Sequence, residues 1–179
     1  MKKVGFFLLH AAGLIFIVAL ATGFQTSFWA QLFGTLPGPL VWVLVILYLA
    51  LYRKPMEAVG LSYLCAAQVY FFGWVPLGIL IFNIIILYSV VYLVKERIFW
   101  PGHRYFITAS FLAVLLYQII YLVSSWFFEL IPIRDLMFFE RLFQVIITPL
   151  FASPVYYTLK FWERLTNQTP LIETGEVEI

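Results

Sequence analysis

Charged residues are scarce in this sequence. Of its 179 residues, 11% are Asp, Glu, Lys or Arg and 64% are hydrophobic, which gives a mean hydropathy of +0.98. Soluble domains average about 25% charged and about 45–50% apolar residues. A chain of this length has too much surface for its volume to bury so much apolar area away from water. Lipid must therefore surround much of the molecule.

Groups that support catalysis or metal binding are also few. The chain has one cysteine, Cys65, and two histidines, so it lacks an internal disulfide, a cysteine-based metal site and an HExxH zinc motif. It contains no glycine-rich phosphate loop and no nucleophile–base pair. An enzyme would have to use the loop residues His103, Arg104 or Glu129. We expect a protein that is not an enzyme, needs no cofactor and binds no nucleic acid.

The long apolar runs do not alternate residue by residue, as the strands of a membrane barrel would, so the sequence predicts helices. The expected fold class is all-α, a polytopic membrane protein with about six transmembrane helices. Residues 1–167 form a single transmembrane domain, and residues 168–179 form a flexible cytoplasmic tail. An uncharged interfacial segment is expected at residues 22–39, which ends in Pro37-Gly38-Pro39. The predicted spans are residues 4–21, 40–52, 58–72, 75–94, 105–128 and 142–161.

The distribution of Lys and Arg predicts the orientation, because cytoplasmic loops of membrane proteins are enriched in both. With both termini in the cytoplasm, only Arg134 and Arg141 lie outside. Omitting the weakly hydrophobic third span would move Lys95, Arg97 and Arg104 outside and spoil this asymmetry. We therefore expect six spans and a retained first span, although the N-terminus resembles a signal peptide. The residues on the cytoplasmic side are then Lys2, Lys3, Arg53, Lys54, Lys95, Arg97, Arg104, Lys160 and Arg164.

Polar residues within the predicted spans have two interpretations. His10 is the only ionisable group near mid-span, and it is either a neutral imidazole bonded to a neighbouring helix, the favoured interpretation, or a proton relay or ligand contact. The uncharged polar residues either hold helices together or converge on one cavity. Those residues are Gln68, Asn83, Gln118, Ser124, Ser125, Gln144 and Thr148.

Two features of the predicted spans suggest a groove for the span of a partner protein. Ala58, Ser62 and Ala66 recur every four residues in the third span, a spacing of small residues that lets another helix approach closely. Pro149 and Pro154 each remove a backbone donor from the sixth span and should kink it. The prediction places both features on a lipid-exposed face of these two spans.

A charged loop at residues 129–141 is predicted on the outer face. Its charges either flank an interfacial helix as solvated groups or form a docking site for an extracytoplasmic partner. They are Glu129, Arg134, Asp135, Glu140 and Arg141.

The layout resembles that of the rod shape-determining MreD family, small inner-membrane proteins with about six spans. The likeness covers most of the chain from Pro37 onward and departs from the family at Cys65-Ala66-Ala67-Gln68, where members often carry an acidic residue. The segments that carry it are Pro39-Leu40-Val41, Gly60-Leu61, Leu77-Gly78, Thr148-Pro149-Leu150-Phe151 and Lys160-Phe161-Trp162-Glu163-Arg164.

This resemblance implies a non-catalytic scaffold of the cell-elongation machinery, in the inner membrane of a bacterium. Its partner would be an MreC-like single-span protein and, through it, MreB and the peptidoglycan synthase RodA–PBP2. A homodimer of this chain is also left as a possibility. The family is thought to share the fold of the S-component, the substrate-binding subunit of energy-coupling-factor transporters. The alternative is therefore a vitamin-binding subunit whose pocket is lined by Gln68, Asn83, His10 and the outer loop.

Overall fold

The computed structural model describes residues 2–72, 76–98, 102–128 and 135–166, without the side chains of residues 2–8 and 135–137. The predicted tail at 168–179 lies outside these residues. Within them the chain is helical and contains no strand. The α-helices are α1 (Lys2–Gly23), α2 (Trp29–Phe33), α3 (Val41–Tyr52), α4 (Pro55–Phe72), α5 (Leu77–Arg97), α6 (His103–Phe128), α7 (Asp135–Ile147) and α8 (Ala152–Leu165).

The first helical segment extends further than the sequence predicts. A π-helical turn, Phe24–Phe28, joins α1 to α2 without a break, so the residues expected to form an interfacial segment are helical as far as Phe33. The stretch before Gly34 contains neither proline nor charge, and nothing there stops the helix. Gly34 ends it with φ 61°, a conformation that glycine adopts without steric cost.

Helix α3 lies at the centre of the bundle, against α1, α4, α5, α6 and α8. All twelve of its residues are buried, none more than 8% exposed. At 1.5 Å per residue it is about 18 Å long, well short of a hydrocarbon core of about 30 Å. Its uniformly apolar sequence follows from this position, because every face of the helix meets another helix.

The non-helical residues before α3 form hydrogen bonds with side chains from a distant part of the sequence. The backbone N–H of Leu40 donates to Oγ1 of Thr148 at 3.0 Å, and Nε2 of Gln144 donates to the carbonyl of Gly38 at 3.1 Å. Irregular backbone at membrane depth is tolerated only where protein groups satisfy it. Two side chains near the end of α7 thus make the short α3 feasible.

Helix α4 carries the stripe of small residues, and the predicted exposure of this stripe is wrong. Ala58 and Ala66 are fully buried and Ser62 nearly so, while α4 packs against α1, α3 and α5 of the same chain. Their small size lets helices of this bundle approach each other closely. They do not line a lipid-facing groove.

The last helical segment begins earlier than predicted and is interrupted where its prolines lie. Helix α7 starts at Asp135, so the second half of the predicted charged loop is helical. A 3₁₀ turn, Thr148–Phe151, separates α7 from α8. Pro149 sits at the start of this turn and Pro154 in the first turn of α8, and neither residue has a backbone N–H to donate. Pro149 is partly buried and Pro154 is exposed.

In the part of the chain that the structure describes, four helical segments are long and apolar enough to cross a bilayer: Leu9–Phe33, Leu77–Arg97, His103–Phe128 and Phe138–Leu165. Helix α3 is apolar but shorter. The architecture is therefore that of a helical membrane protein.

Candidate functional site

A buried charge cluster joins the start of α1 to the ends of α3 and α8. We use this name for His10, Tyr48, Arg53, Glu163 and Thr166, each of which is at most 4% exposed. Arg53 follows the last residue of α3, and Glu163 lies in the last turn of α8. Charged residues are rarely buried unless they are paired, so the contacts of the two charges decide what the cluster does.

The two charges form an ion pair. Nε of Arg53 lies 3.0 Å from Oε1 of Glu163, and the hydroxyl of Tyr48 donates to Oε2 of Glu163 at 2.6 Å. Both oxygens of the carboxylate therefore have a donor. Removing one partner from such a buried pair leaves the other charge uncompensated, which costs about 3–5 kcal/mol.

His10 completes the cluster as a neutral imidazole. Nη2 of Arg53 lies 3.1 Å from Nε2 of His10, and Nδ1 of His10 lies 3.1 Å from Oγ1 of Thr166. A guanidinium has donors only, so Nε2 must accept, and the ring proton is assigned to Nδ1, which donates to Thr166. These contacts match the favoured interpretation of a histidine bonded to a neighbouring helix.

Trp162 packs the same junction from α8. Its indole N–H donates to the carbonyl of His10 at 3.3 Å. A Cβ atom on Gly13 would overlap the indole ring, so only glycine fits where α1 crosses Trp162. The cluster and this close approach together hold α1, α3 and α8 in one arrangement.

Sequence reasoning missed the ion pair. It counted Arg53 as a cytoplasmic flank and placed Glu163 beyond the sixth span. The available signal is the helical spacing of Ala152, Tyr156 and Leu159, a buried stripe of α8 that continues directly to Glu163. For Arg53 the sequence carries no comparable signal, because α3 is apolar on every side.

A polar cavity of about 270 Å³ lies between α1, α3, α6 and α7, away from the charge cluster. Its apolar wall includes Trp42, Val69 and Leu80. The polar groups are contributed by Thr22, Gln25, Thr26, Tyr117, Gln118, Tyr121, Arg141 and Gln144. Gln118 and Gln144 are two of the residues for which convergence on one cavity was an open interpretation.

A chain of hydrogen bonds runs along one wall of the polar cavity. Nη1 of Arg141 donates to Oε1 of Gln118 at 2.9 Å, and Nε2 of Gln118 donates to Oε1 of Gln144 at 2.8 Å. The guanidinium of Arg141 also lies 3.9 Å from the centroid of the Tyr121 ring, in cation–π geometry. Gln144 continues the chain to Gly38, as described above.

Two polar atoms at the polar cavity are buried without a hydrogen-bond partner in the described part of the chain. They are Oε1 of Gln25 and Nε of Arg141. Buried polar atoms normally have a partner, so an unpaired acceptor and an unpaired donor here mark room for a water or a small polar ligand.

The predicted partner-binding residues do not come together in one place. Glu129 and Arg134 lie outside the described residues, and Asp135 begins α7. Glu140 is exposed, whereas Arg141 points into the bundle toward Gln118. Neither interpretation of the charged loop, solvated flanks of an interfacial helix or a docking site, predicted this contact of Arg141 inside the bundle.

The residues predicted to line a vitamin pocket are also dispersed. Oδ1 of Asn83 accepts a hydrogen bond from Ser124 at 2.8 Å, which joins α5 to α6. His10 belongs to the buried charge cluster, and Gln68 is not among the residues that line the polar cavity. The polar residues of the cavity come instead from α1, the π-helical turn, α6 and α7.

Across residues 2–72, 76–98, 102–128 and 135–166, no group of three or more His, Cys, Asp or Glu residues is placed to hold a metal ion. Comparison with protein-family models, curated proteins and solved structures returned no match. The fold and the apolar helices define the class as an all-helical integral membrane protein.

Proposed function

We propose that this chain is a non-catalytic membrane scaffold of the bacterial cell-elongation machinery that binds an MreC-like single-span protein in the cytoplasmic membrane. The observation that carries the proposal is that charged and amide side chains inside the bundle bond mainly to one another. The buried charge cluster and the Arg141–Gln118–Gln144 chain are the two main instances.

Polar side chains that bond to one another make the bundle rigid, which favours a scaffold over a transport or catalytic site. A transport or catalytic site needs polar groups that stay available to a substrate, whereas Arg53 bonds to Glu163, and Glu163 also accepts a hydrogen bond from Tyr48. A rigid bundle presents a constant outer surface to other membrane proteins. The resemblance of the sequence to the MreD family supplies the particular machinery and partner in this proposal.

The outer surface that suits a partner span is the exposed face of α7 and of the 3₁₀ turn after it. Large apolar side chains recur there at intervals of three or four residues, as one side of a helix requires. They are Phe139, Leu142, Ile146 and Leu150, each at least 47% exposed. This surface replaces the groove that the buried stripe of α4 cannot provide.

Photo-crosslinking in cells tests this proposal. A photoreactive amino acid at Ile146 or Leu150 is expected to crosslink to the MreC-like protein of the same organism. The matched control is Phe111 of α6, which is also an exposed apolar position. Equal crosslinking from all three positions would contradict the surface, and failure of the two proteins to co-purify would contradict the scaffold.

The alternative is a substrate-binding subunit of a transporter of the energy-coupling-factor type, and the polar cavity is the observation that favours it. At about 270 Å³ the cavity is slightly below the roughly 300–1,000 Å³ of typical ligand pockets. Native mass spectrometry of the purified protein, combined with thermal shifts across a vitamin panel, tests it. A bound vitamin would replace the scaffold proposal, and no ligand by either method would remove the alternative.

We further propose that the chain crosses the bilayer six times with both termini in the cytoplasm. The four long segments, α3 and α4 together supply six crossings. The Lys and Arg distribution supports this orientation.

A further inference from the structure

A basic pocket opens at the end of the bundle where α6 begins and α8 ends. Its volume is about 530 Å³, and we call it the basic pocket. The residues that line it are His103, Tyr156, Tyr157, Lys160, Phe161 and Arg164. It shares none of these residues with the buried charge cluster or with the polar cavity.

The lining of the basic pocket has a single sign of charge. Lys160 and Arg164 are cations on successive turns of α8, and the six lining residues include no carboxylate. Glu163 of the same helix is not among the lining residues; it is 2% exposed and pairs with Arg53. The pocket therefore attracts anions, and Arg with Lys is the combination that proteins use for phosphate.

The lining residues His103 and Tyr156 are fixed by contacts with neighbouring side chains. Nε2 of His103 lies 2.8 Å from Oγ of Ser153, and the imidazole lies 5.2 Å from the Tyr157 ring, measured between centroids. Tyr156 is buried against Phe106, with ring centroids 5.5 Å apart. An ordered wall lowers the entropic cost of binding.

The surroundings of the basic pocket distinguish a lipid from a soluble anion. Phe161 is 63% exposed and Tyr157 59% exposed, so the two cations lie beside exposed aromatic surface. A soluble phosphate would use only the cations, whereas a phospholipid would use both surfaces at once. Basic pockets at the ends of transmembrane helices bind anionic headgroups in this way.

We propose that the basic pocket binds the phosphate headgroup of an anionic phospholipid, with Lys160 and Arg164 on the phosphate and Tyr157 and Phe161 against the acyl chains. This inference goes beyond the scaffold proposal. It depends on neither the identity of the protein partner nor the number of crossings.

Native mass spectrometry of the full chain, with added phosphatidylglycerol or phosphatidylcholine of identical acyl chains, tests the proposal. We expect phosphatidylglycerol to bind more tightly, and K160Q/R164Q to weaken its binding roughly 25-fold, since each cation near an anionic headgroup contributes about fivefold. The single variant R164Q, at an exposed position, should lose about fivefold and protects the test against misfolding of the double variant.

The matched control is K54Q/R97Q, which removes the same charge from two exposed positions that do not line the basic pocket. It should bind phosphatidylglycerol as the unmodified protein does. An equal loss in both double variants would mean general charge attraction and would overturn the proposal. Displacement of the lipid by millimolar inorganic phosphate would assign the pocket to a soluble phosphate and overturn the lipid source.

Discussion

Arg53 has two roles at the scale of single residues. In the proposed topology it is a cation beside a span and contributes to the charge asymmetry from which the orientation is predicted. In the folded protein it is 4% exposed and bonded to Glu163 and His10. A count of positive residues treats Arg53 and the exposed Lys54 as equal, but only Lys54 remains a surface charge.

The first prediction concerns the ion pair between Arg53 and Glu163. Glu163→Gln should destabilise the protein by about 3–5 kcal/mol, because it leaves the Arg53 guanidinium buried without a counter-charge. Unfolding of the purified protein by SDS in mixed micelles measures the loss. The double variant Arg53→Met/Glu163→Gln should lose less than the sum of the two single losses. Additive losses would contradict the pairing.

The second prediction concerns Gly13. Gly13→Ala should lower the melting temperature, because the added methyl group overlaps the Trp162 ring and pushes α8 from α1. Gly23→Ala is the matched control, since nothing lies within 4 Å of a Cβ atom there. Alanine favours helix over glycine by about 1 kcal/mol, so the control should be neutral or slightly stabilising. Equal melting temperatures in the two variants would contradict the close approach.

At the scale of helices, the extended chain before α3 depends on one hydroxyl group. Thr148 accepts from Leu40 N–H and donates to the carbonyl of Gln144 at 2.7 Å. Thr148→Val keeps the shape but leaves a buried N–H unpaired, which should cost about 1–3 kcal/mol. The SDS unfolding assay measures this loss.

Thr108→Val is the control for that prediction. The hydroxyl of Thr108 also bonds to a backbone carbonyl, that of Arg104, but it is exposed and no donor depends on it. Its replacement should change stability by less than about 0.5 kcal/mol. A similar loss in both variants would show that residues 37–40 do not depend on Thr148.

The small residues of α4 give the fourth prediction. Ala66→Leu should destabilise the isolated protein by about 1–3 kcal/mol, because residue 66 is fully buried between helices of the same chain. Gly60→Leu adds the same side chain at an exposed position of α4 and should be tolerated. If the Ala66→Leu protein were fully stable but failed to bind its partner, this prediction would be wrong and the interpretation of an exposed groove would be supported.

The helices differ in how well the sequence predicts them. Helices α5 and α6 match their predicted spans closely, because long apolar runs end at charges or at proline. The continuation of α1 to Phe33 was not predicted, because Trp29 and the absence of charge suggested an interface. A helix within the charged loop was one of two open interpretations, but the contacts of Arg141 with Gln118 and Tyr121 were not predicted, because they depend on how α7 packs against α6.

The candidate sites were less predictable than the helices. Gln118 and Gln144 were identified as polar residues within spans, but their convergence depends on how α6 and α7 pack. The Arg53–Glu163 pair joins residues 110 apart in sequence, and neither local periodicity nor composition encodes such a contact. Features that depend on the residue pattern within one helix could be predicted from the sequence, whereas contacts between helices could not.

At the scale of the whole molecule, the number of crossings can be measured directly. If six crossings are made with both ends in the cytoplasm, a reporter that fluoresces only in the cytoplasm should be active at either terminus. A reporter fused after Lys54 should also be active, because the connection between α3 and α4 would be cytoplasmic. With only the four long segments as crossings, this connection would lie outside and the reporter after Lys54 would be inactive.

The complete burial of α3 has a consequence for biogenesis. A helix about 18 Å long that ends in Arg53 is poorly suited to stay in lipid alone, so its final position must await the helices that enclose it. The carboxylate that neutralises Arg53 is synthesised 110 residues later, on the last helix. Assembly is therefore completed only when α8 leaves the ribosome. A chain truncated before Ala152 would hold an unneutralised arginine in its interior, a state that membrane quality-control proteases can recognise.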